Sequence, residues 1–293
     1  MARGYDYGGQ AVLEGVMIRG PRSLAIAVRR PDAGIVVERR QLRSLTARWP
    51  LLRLPIVRGA VQLYQALVIG IDALLFSANQ VAEAEHERVG RFEMAITVAI
   101  SVLLAVTLFV ILPTWLAHRL EDYLASTVAL NFVEGSVRLL VLLAYIASIG
   151  RMRDIQRVLE YHGAEHKVIH ALEQGDELTV EAVRRHSILH PRCGTSFLLL
   201  VALVSIFLYS FFGWPGFWQR LALRLGLLPL VAGVAYELIR ASGRSRSRWW
   251  RPVILPGLWL QRWTTREPDD EQIEVAIQAL KGAMEADPEG AVL

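Results

Sequence analysis

The chain has 293 residues, of which 53% are hydrophobic, and its formal net charge is +4 at pH 7. This apolar content is higher than that of an ordinary water-soluble domain, and it predicts a protein that lies largely in a membrane. The single cysteine excludes an internal disulfide, as expected for a protein that faces a reducing compartment. The sequence has no glycine-rich phosphate loop and no serine nucleophile motif, and nucleic acid is not expected as a partner.

Residues 1–50 are predicted to form a small cytoplasmic β-rich unit. Two runs rich in Ile and Val, Ser23 to Arg29 and Ile35 to Gln41, flank a Pro-Asp-Ala-Gly turn, and together they predict a β-hairpin. The preceding segment 8–21 contains four glycines. It is typical of one strand with a turn at each end, or of a backbone that approaches another part of the molecule closely.

Apolar runs predict about four transmembrane helices, two in residues 91–149 and two in residues 194–240. The predicted spans are Phe92 to Leu112, Ala125 to Ile149, Phe197 to Phe212 and Leu221 to Ile239. Residues 51–90 contain a further apolar segment that polar residues interrupt. We expect an amphipathic helix there, or one that partly enters the bilayer.

The distribution of arginine predicts that both termini and the loop 150–193 face the cytoplasm, because positive charge next to the membrane favours that side. Residues 241–293 are expected to begin with a basic, tryptophan-containing strip that either contacts anionic lipid across 240–251 or only anchors the chain. The rest of this tail should hold an amphipathic helix from Glu271 to Met284 and pack loosely. The fold class is therefore a mainly α, polytopic membrane protein with a small N-terminal β-hairpin unit.

The loop 150–193 carries the candidate chemistry on one predicted helix that Gly175 should end. The pattern His-x-x-Glu-His places two imidazoles one helical turn apart, which is the spacing of zinc ligands, with a glutamate beside them to take a proton from water. The residues that form this pattern are His162, Glu165 and His166. They predict a divalent transition metal site, with zinc as the expected ion and Glu165 as the general base.

Two histidines do not complete a zinc site, and we expect a third ligand from the His-Pro-Arg-Cys turn that enters the third span. His190 and Cys193 are the two candidates, and the choice between them stays open at this point. Several further residues could assist from the same helix face, the loop or the N-terminal unit. These accessory candidates are His170, Glu173, His186, Gln10, Glu14 and Arg19.

Three motifs in order, within residues 9–17, 161–167 and 190–197, resemble the bacterial YqhQ-like family of uncharacterised membrane proteins, which are labelled predicted metal-dependent enzymes. The resemblance covers most of the chain. It implies a metal enzyme of the bacterial inner membrane and names no substrate.

Two functions from different classes fit these observations. The first is a membrane metal-dependent hydrolase whose site lies at the cytoplasmic membrane surface and whose substrate is a membrane-embedded peptide or a lipid. The second is a membrane scaffold or assembly factor in which the His/Cys site is purely structural. A transporter is not favoured, because the predicted spans carry few polar residues away from their ends.

Overall fold

The computed structural model describes residues 7–42, 49–82, 90–124, 126–244 and 247–287. These residues form a small antiparallel sheet and a mainly helical remainder. The strands are β1 (Gly8–Val12), β2 (Gly15–Arg19), β3 (Ser23–Arg29) and β4 (Ile35–Gln41). The helices are α1 (Val57–Ala82), α2 (Arg91–Val106), α3 (Leu112–His118), α4 (Thr127–Ile149), α5 (Arg153–Gln174), α6 (Val180–Arg184), α7 (Gly194–Tyr209), α8 (Phe217–Gly226), α9 (Leu228–Arg244), α10 (Arg251–Thr264) and α11 (Asp270–Ala286).

The N-terminal sheet is a meander in which each strand pairs antiparallel with the next. The predicted hairpin is confirmed as β3 and β4, with the bounds that the sequence indicated. The prediction of one strand across the glycine-rich segment is wrong. The chain reverses at Leu13 and Glu14, so the segment forms two strands, and Glu14 takes a positive φ of 49° in the turn.

Both faces of the sheet are covered, which explains why β2 and β3 are almost completely buried. Val16 and Ala25 point to the face that packs on α5 and α11, whereas Met17 and Ile26 point to the face that packs on α1. The N-terminal sheet is therefore the central layer between the helix with the histidines and the first long apolar helix.

The C-terminal helix α11 packs tightly, which corrects the prediction of a loosely held tail. Its Ile273, Ala276 and Leu280 are completely buried in the core that it shares with the sheet and α5. Asp269 and Gln272 form a capping box at its start. The hydroxyl of Ser23 in β3 donates to the Ala283 carbonyl at 2.6 Å, so the sheet and α11 belong to one packed body.

Among the described residues, four helical segments are long and apolar enough to cross a membrane. They are Val57–Ala82, Phe92–His118, Thr127–Ile149 and Gly194–Phe212. Three of them match predicted spans, and the first is the segment for which we left insertion in the bilayer open. The structure shows α1 as one long helix with its polar Ser77 turned to the sheet, where the hydroxyl accepts from the backbone N–H of Leu13.

The span predicted from Leu221 to Ile239 is broken, and this is a correction. Helices α8 and α9 meet at a bend of 43° beside Leu227. Pro229 lies at the second position of α9, where it has no N–H to donate to Leu225 and its ring would collide with that carbonyl in a continuous helix. The pair counts as a fifth apolar crossing only if the two halves are taken together.

Helix α10 was not predicted, since its apolar residues alternate with Pro256, Gly257 and three charged or amide side chains. It packs on α7, where a Cβ built on Gly257 would overlap the hydroxyl of Ser196. This contact brings the end of α10 next to the start of α7. The candidate site lies at that junction.

Candidate metal centre

Helix α5 places the predicted ligands along one face, as their spacing indicated. It ends at Gln174 because Gly175 adopts a left-handed conformation with φ of 77°, which confirms the predicted stop. The face is lined, in order, by His162, His166, His170 and Glu173. The short helix α6 follows, and the hydroxyl of Thr179 caps it.

The turn 190–193 forms the opposite wall of the site. Gln261 of α10 holds this turn, because its amide accepts from the backbone N–H of His190 at 2.8 Å and donates to the carbonyl of the same residue at 2.8 Å. The Gln261 amide also donates to the Ser196 hydroxyl. Gln261 is completely buried, so these hydrogen bonds are shielded from water and fix the turn against the bundle.

Two groups of potential metal ligands stand side by side among the described residues. The first group is His162, His166 and Cys193, and its ligand atoms all lie within 4.8 Å of one another. The second group is His170, Glu173 and His190, with the same convergence. The structure therefore separates the two residues that were alternatives for the third ligand: Cys193 joins the predicted His162 and His166, whereas His190 joins the neighbouring group.

In the first group, the ligand atoms lie close together and hydrogen bonds orient both imidazole rings. His162 Nε2 lies 3.2 Å from Cys193 Sγ, and the rings of His162 and His166 are 4.4 Å apart. His162 Nδ1 donates to the Thr264 carbonyl at 2.7 Å, and His166 Nδ1 donates to the Ile188 carbonyl at 2.5 Å. Since a carbonyl only accepts, both rings carry their proton on Nδ1 and present the Nε2 lone pair to the centre of the group.

His166 Nε2 is a buried nitrogen that no hydrogen bond satisfies within the part of the chain that the structure describes. His166 is only 2% exposed, and the Glu165 carboxylate approaches this nitrogen to 3.6 Å. Buried polar atoms in native proteins nearly always have a partner. An unsatisfied imidazole nitrogen beside a thiol and a second imidazole fits a metal ligand.

Glu165, the predicted general base, lies beside the first group and under the N-terminal sheet. A Cβ built on Gly9 of β1 would lie 2.6 Å from Glu165 Cγ, so only glycine permits this contact. Glu165 is 6% exposed. The close backbone approach, which was one of the two interpretations of the glycine-rich segment, thus occurs at the candidate site.

The second group is already occupied by a network of charges. Arg192 forms an ion pair with Glu173, and His190 Nε2 lies 3.5 Å from the same carboxylate. His170 Nε2 donates to the Leu189 carbonyl at 2.9 Å, and burial lowers the pKa of this imidazole. Burial opposes ionisation of Glu173, yet His190 and Arg192 outweigh it, and the pKa of the carboxyl is lowered. These groups therefore satisfy one another without an ion.

The remaining accessory candidates lie outside both groups. His186 Nε2 pairs with Asp176 at 2.9 Å, Glu14 forms an ion pair with Arg157, and the side chain of Gln10 approaches Gly70 of α1. Burial lowers the pKa of Arg19, and the electrostatic interaction with Tyr236 of α9 partly opposes this effect. The N-terminal unit thus contributes a backbone cover to the site instead of a ligand.

Sequence reasoning missed the residues that hold the ligands in place. Gln261 and the Thr264 carbonyl belong to α10, which the apolar pattern did not reveal, and a backbone carbonyl leaves no signature in a sequence. Lys167 was also missed. It is buried beside the ligands, and its ammonium donates to the carbonyls of Arg184 and His186 and pairs with Glu267 at 2.6 Å.

Comparison with known proteins gives a family without an assigned activity. Residues 54–286 match the family described as "Protein of unknown function (DUF1385)". The chain is also 34% identical over 287 residues to "Uncharacterized protein YqhQ" of Bacillus subtilis (strain 168), an alignment that covers 93% of this chain and 90% of that protein. No solved structure matches significantly. The candidate centre lies inside the matched range, and the chain belongs to the DUF1385 family, which confirms the resemblance found in the sequence.

Proposed function

We propose that this protein is a metal-dependent membrane hydrolase, with zinc as the metal and with His162, His166 and Cys193 as its ligands. The observation that supports the proposal is the convergence of two Nε2 lone pairs and one sulfur, with both rings oriented by carbonyls. Outer hydrogen bonds of this kind are typical of metal-ligating histidines. Three protein ligands leave a fourth position for water or substrate, the pattern of catalytic zinc sites.

The residues of the site have separate tasks in this proposal. His162, His166 and Cys193 would hold the zinc ion, which would supply Lewis-acid chemistry by polarising a substrate oxygen and making water more acidic. Glu165 takes the proton from that water and passes it to the leaving group, a role that its place beside His166 Nε2 allows. Lys167, two residues after Glu165, donates to the carbonyls of Arg184 and His186 and pairs with Glu267, and so holds the turn 184–186 against α5.

The location of the site favours a substrate that is itself in the membrane. Cys193 directly precedes α7, one of the four helices that are long and apolar enough to span a bilayer. The centre therefore lies where the apolar helices meet the body formed by the sheet, α5 and α11. We propose that this body faces the cytoplasm of a bacterium and that a membrane-embedded peptide or a lipid reaches the centre along α7.

A second candidate function is a structural clamp, and the burial of Glu165 supports it. The carboxylate lies beneath β1, and the three ligands belong to α5 and to the turn that α10 holds. A metal ion there would tie the sheet-bearing body to the apolar helices. In a scaffold or assembly factor that function needs no water at the fourth position.

Metal content and a carboxylate variant test the proposal and separate the two functions. We expect the purified full-length protein to contain one zinc ion per chain by elemental analysis. His162→Ala and Cys193→Ser should lose it, whereas His118→Ala, which removes a histidine of α3, should keep it. An absence of transition metal from the unaltered protein contradicts both functions.

Glu165→Gln then distinguishes catalysis from structure. If the protein is a hydrolase, this variant keeps the metal and loses hydrolysis of fluorogenic lipid esters or membrane peptides by about 100-fold or more, the usual contribution of a general base. If the site is a clamp, the variant keeps the metal and complements a deletion strain as well as the unaltered gene does in growth competition, while Cys193→Ser fails to complement.

A further inference from the structure

A second polar cluster lies within the apolar helices, away from the metal ligands. It contains three arginines and one carboxylate, and all of them belong to α4 and α8. Arg138 is one turn from Glu134 on α4, and Arg224 is one turn from Arg220 on α8. Glu134, Arg220 and Arg224 are each at most 1% exposed. Charged groups at such positions are costly and usually serve a function.

Two of the three arginines donate to the carboxylate of Glu134. Arg224 donates to both of its oxygens at 3.0 Å, and Arg138 donates to Oε1 at 2.8 Å. The hydroxyl of Thr114 supplies a further hydrogen bond at 3.2 Å. Arg138 also donates to the Phe109 carbonyl at 2.8 Å. All four of the hydrogen bonds to Glu134 come from Arg224, Arg138 and Thr114, and none within the described ranges comes from the third arginine.

Arg220 is the third arginine, and the described residues form no ion pair with it, although Glu134 and Glu121 lie near enough to attract its charge. None of its three guanidinium nitrogens has a hydrogen bond within the described ranges, although the side chain is completely buried. Its guanidinium stacks on the Trp214 ring at 3.7 Å, which covers one face and leaves the donor edge unused. Glu121 is the other nearby carboxylate, but its hydrogen bonds go to Trp214 Nε1 and His118.

Arg224 Nη1 is likewise buried without a hydrogen-bond partner in the part of the chain described. The two arginines lie on the same side of α8, so unsatisfied donors from successive turns face the same region. A planar guanidinium with free edges is the side chain that suits bidentate binding of a phosphate. The cluster thus presents a cationic site whose donors suit an anion.

The surroundings of Arg220 indicate where that anion comes from. Three aromatic side chains near this end of the bundle are strongly exposed: Phe211 at 69%, Trp218 at 77% and Tyr123 at 82%. Exposed aromatic rings at the ends of apolar helices mark the depth of lipid headgroups. We propose that Arg220, assisted by Arg224, binds the phosphate group of a membrane lipid at the end of the bundle that lies away from the metal centre.

This proposal does not depend on the metal centre, and its test needs no catalytic activity. The purified full-length protein is placed in nanodiscs of phosphatidylglycerol or of a neutral glycolipid without phosphate, and the unfolding temperature is measured in each. Native mass spectrometry counts the lipids that stay bound after transfer to detergent. A third sample receives inorganic phosphate in detergent without added phospholipid.

We expect phosphatidylglycerol to raise the unfolding temperature and to remain bound, and Arg220→Gln to weaken retention about tenfold, the loss of a charge-assisted hydrogen bond. Arg119→Gln is the matched control, because Arg119 is an exposed arginine over the Trp115 ring near the same end of the bundle. Arg220→Lys keeps the charge but not the fork, so it should fold and bind with intermediate strength. If Arg220→Gln does not fold, the lipid retention of Arg220→Lys still tests the proposal.

Each outcome decides the source of the anion. Stabilisation by phosphatidylglycerol that requires Arg220 supports the lipid site. Stabilisation by inorganic phosphate alone, with no preference between the two nanodiscs, overturns the lipid as ligand and assigns a soluble anion. If neither addition has an effect that depends on Arg220, the arginine has only a packing role and the proposal is overturned.

Discussion

At the scale of single residues, the candidate centre depends on groups that orient other groups. His162 and His166 are held by backbone carbonyls, and the turn with Cys193 is held by the amide of Gln261. The histidines could be read from their spacing on a helix. Gln261 could not, because it lies 71 residues from His190 and an isolated glutamine in an apolar segment has no recognisable pattern.

Replacement of Gln261 by leucine tests this support. The change keeps the volume but leaves the N–H and carbonyl of His190 buried without partners, so we expect a loss of stability of about 1–3 kcal/mol. Metal affinity should fall about 10–100-fold, as for other changes behind the ligands. Thermal unfolding and a competitive chelator titration measure the two effects. Gln278→Leu on the exposed face of α11 is the control, and equal behaviour of the two variants would contradict the role of Gln261.

At the scale of elements, α5 packs closely against the backbone of two other segments. The strand β1 approaches it at Gly9, and the segment after α10 approaches it at Gly163, where a Cβ would overlap the Arg266 carbonyl oxygen. The sequence predicted α5 and its end correctly, since periodic side chains and Gly175 are local signals. For the segment with Gly9 it offered a close backbone approach as one of two interpretations, but it did not identify the group that approaches either glycine, because a glycine carries no information about its partner.

Gly163→Ala tests the contact with the segment after α10. Alanine favours a helix by about 1 kcal/mol over glycine, but here its methyl group meets a backbone that cannot move aside. We expect a net destabilisation of about 1–3 kcal/mol, as in other overpacked interiors. Gly226→Ala, at a helical glycine with nothing within 4 Å of the added Cβ, should be neutral or stabilising. A stable Gly163→Ala protein with full metal content would show that the contact is dispensable.

The apolar helices illustrate a different limit of sequence reasoning. Hydropathy located Phe92–His118, Thr127–Ile149 and Gly194–Phe212, because such runs need no partner to be recognised. It failed at the bend between α8 and α9, where Pro229 interrupts an apolar run without changing its average. It also gave no hint of Arg220 and Arg224 inside the bundle as anything other than charges near an interface.

At the scale of the whole molecule, the body with the metal ligands lies at one end of the apolar helices. The exposed rings of Tyr123, Phe211 and Trp218 lie at the other end. We expect cysteines introduced at these two ends to react from opposite sides of the membrane. In a Cys193→Ser background, Trp218→Cys should react with an impermeant maleimide on intact spheroplasts, and Glu271→Cys only after permeabilisation. Both positions are exposed, at 77% and 73%. Reaction of Glu271→Cys on intact cells would place the metal centre outside.

The packing of the N-terminal sheet on α11 has a consequence for the order in which the contacts form during synthesis. Ser23 binds the carbonyl of Ala283, and the sheet that covers Glu165 shares its core with α11. A ribosome must therefore deliver α11 before the sheet finds its second cover. During translation α5 emerges long before α10 and α11, with its histidines uncovered. The hydrogen bonds with Thr264 and Gln261 that orient His162 and the turn 190–193 can therefore form only after α10 has emerged.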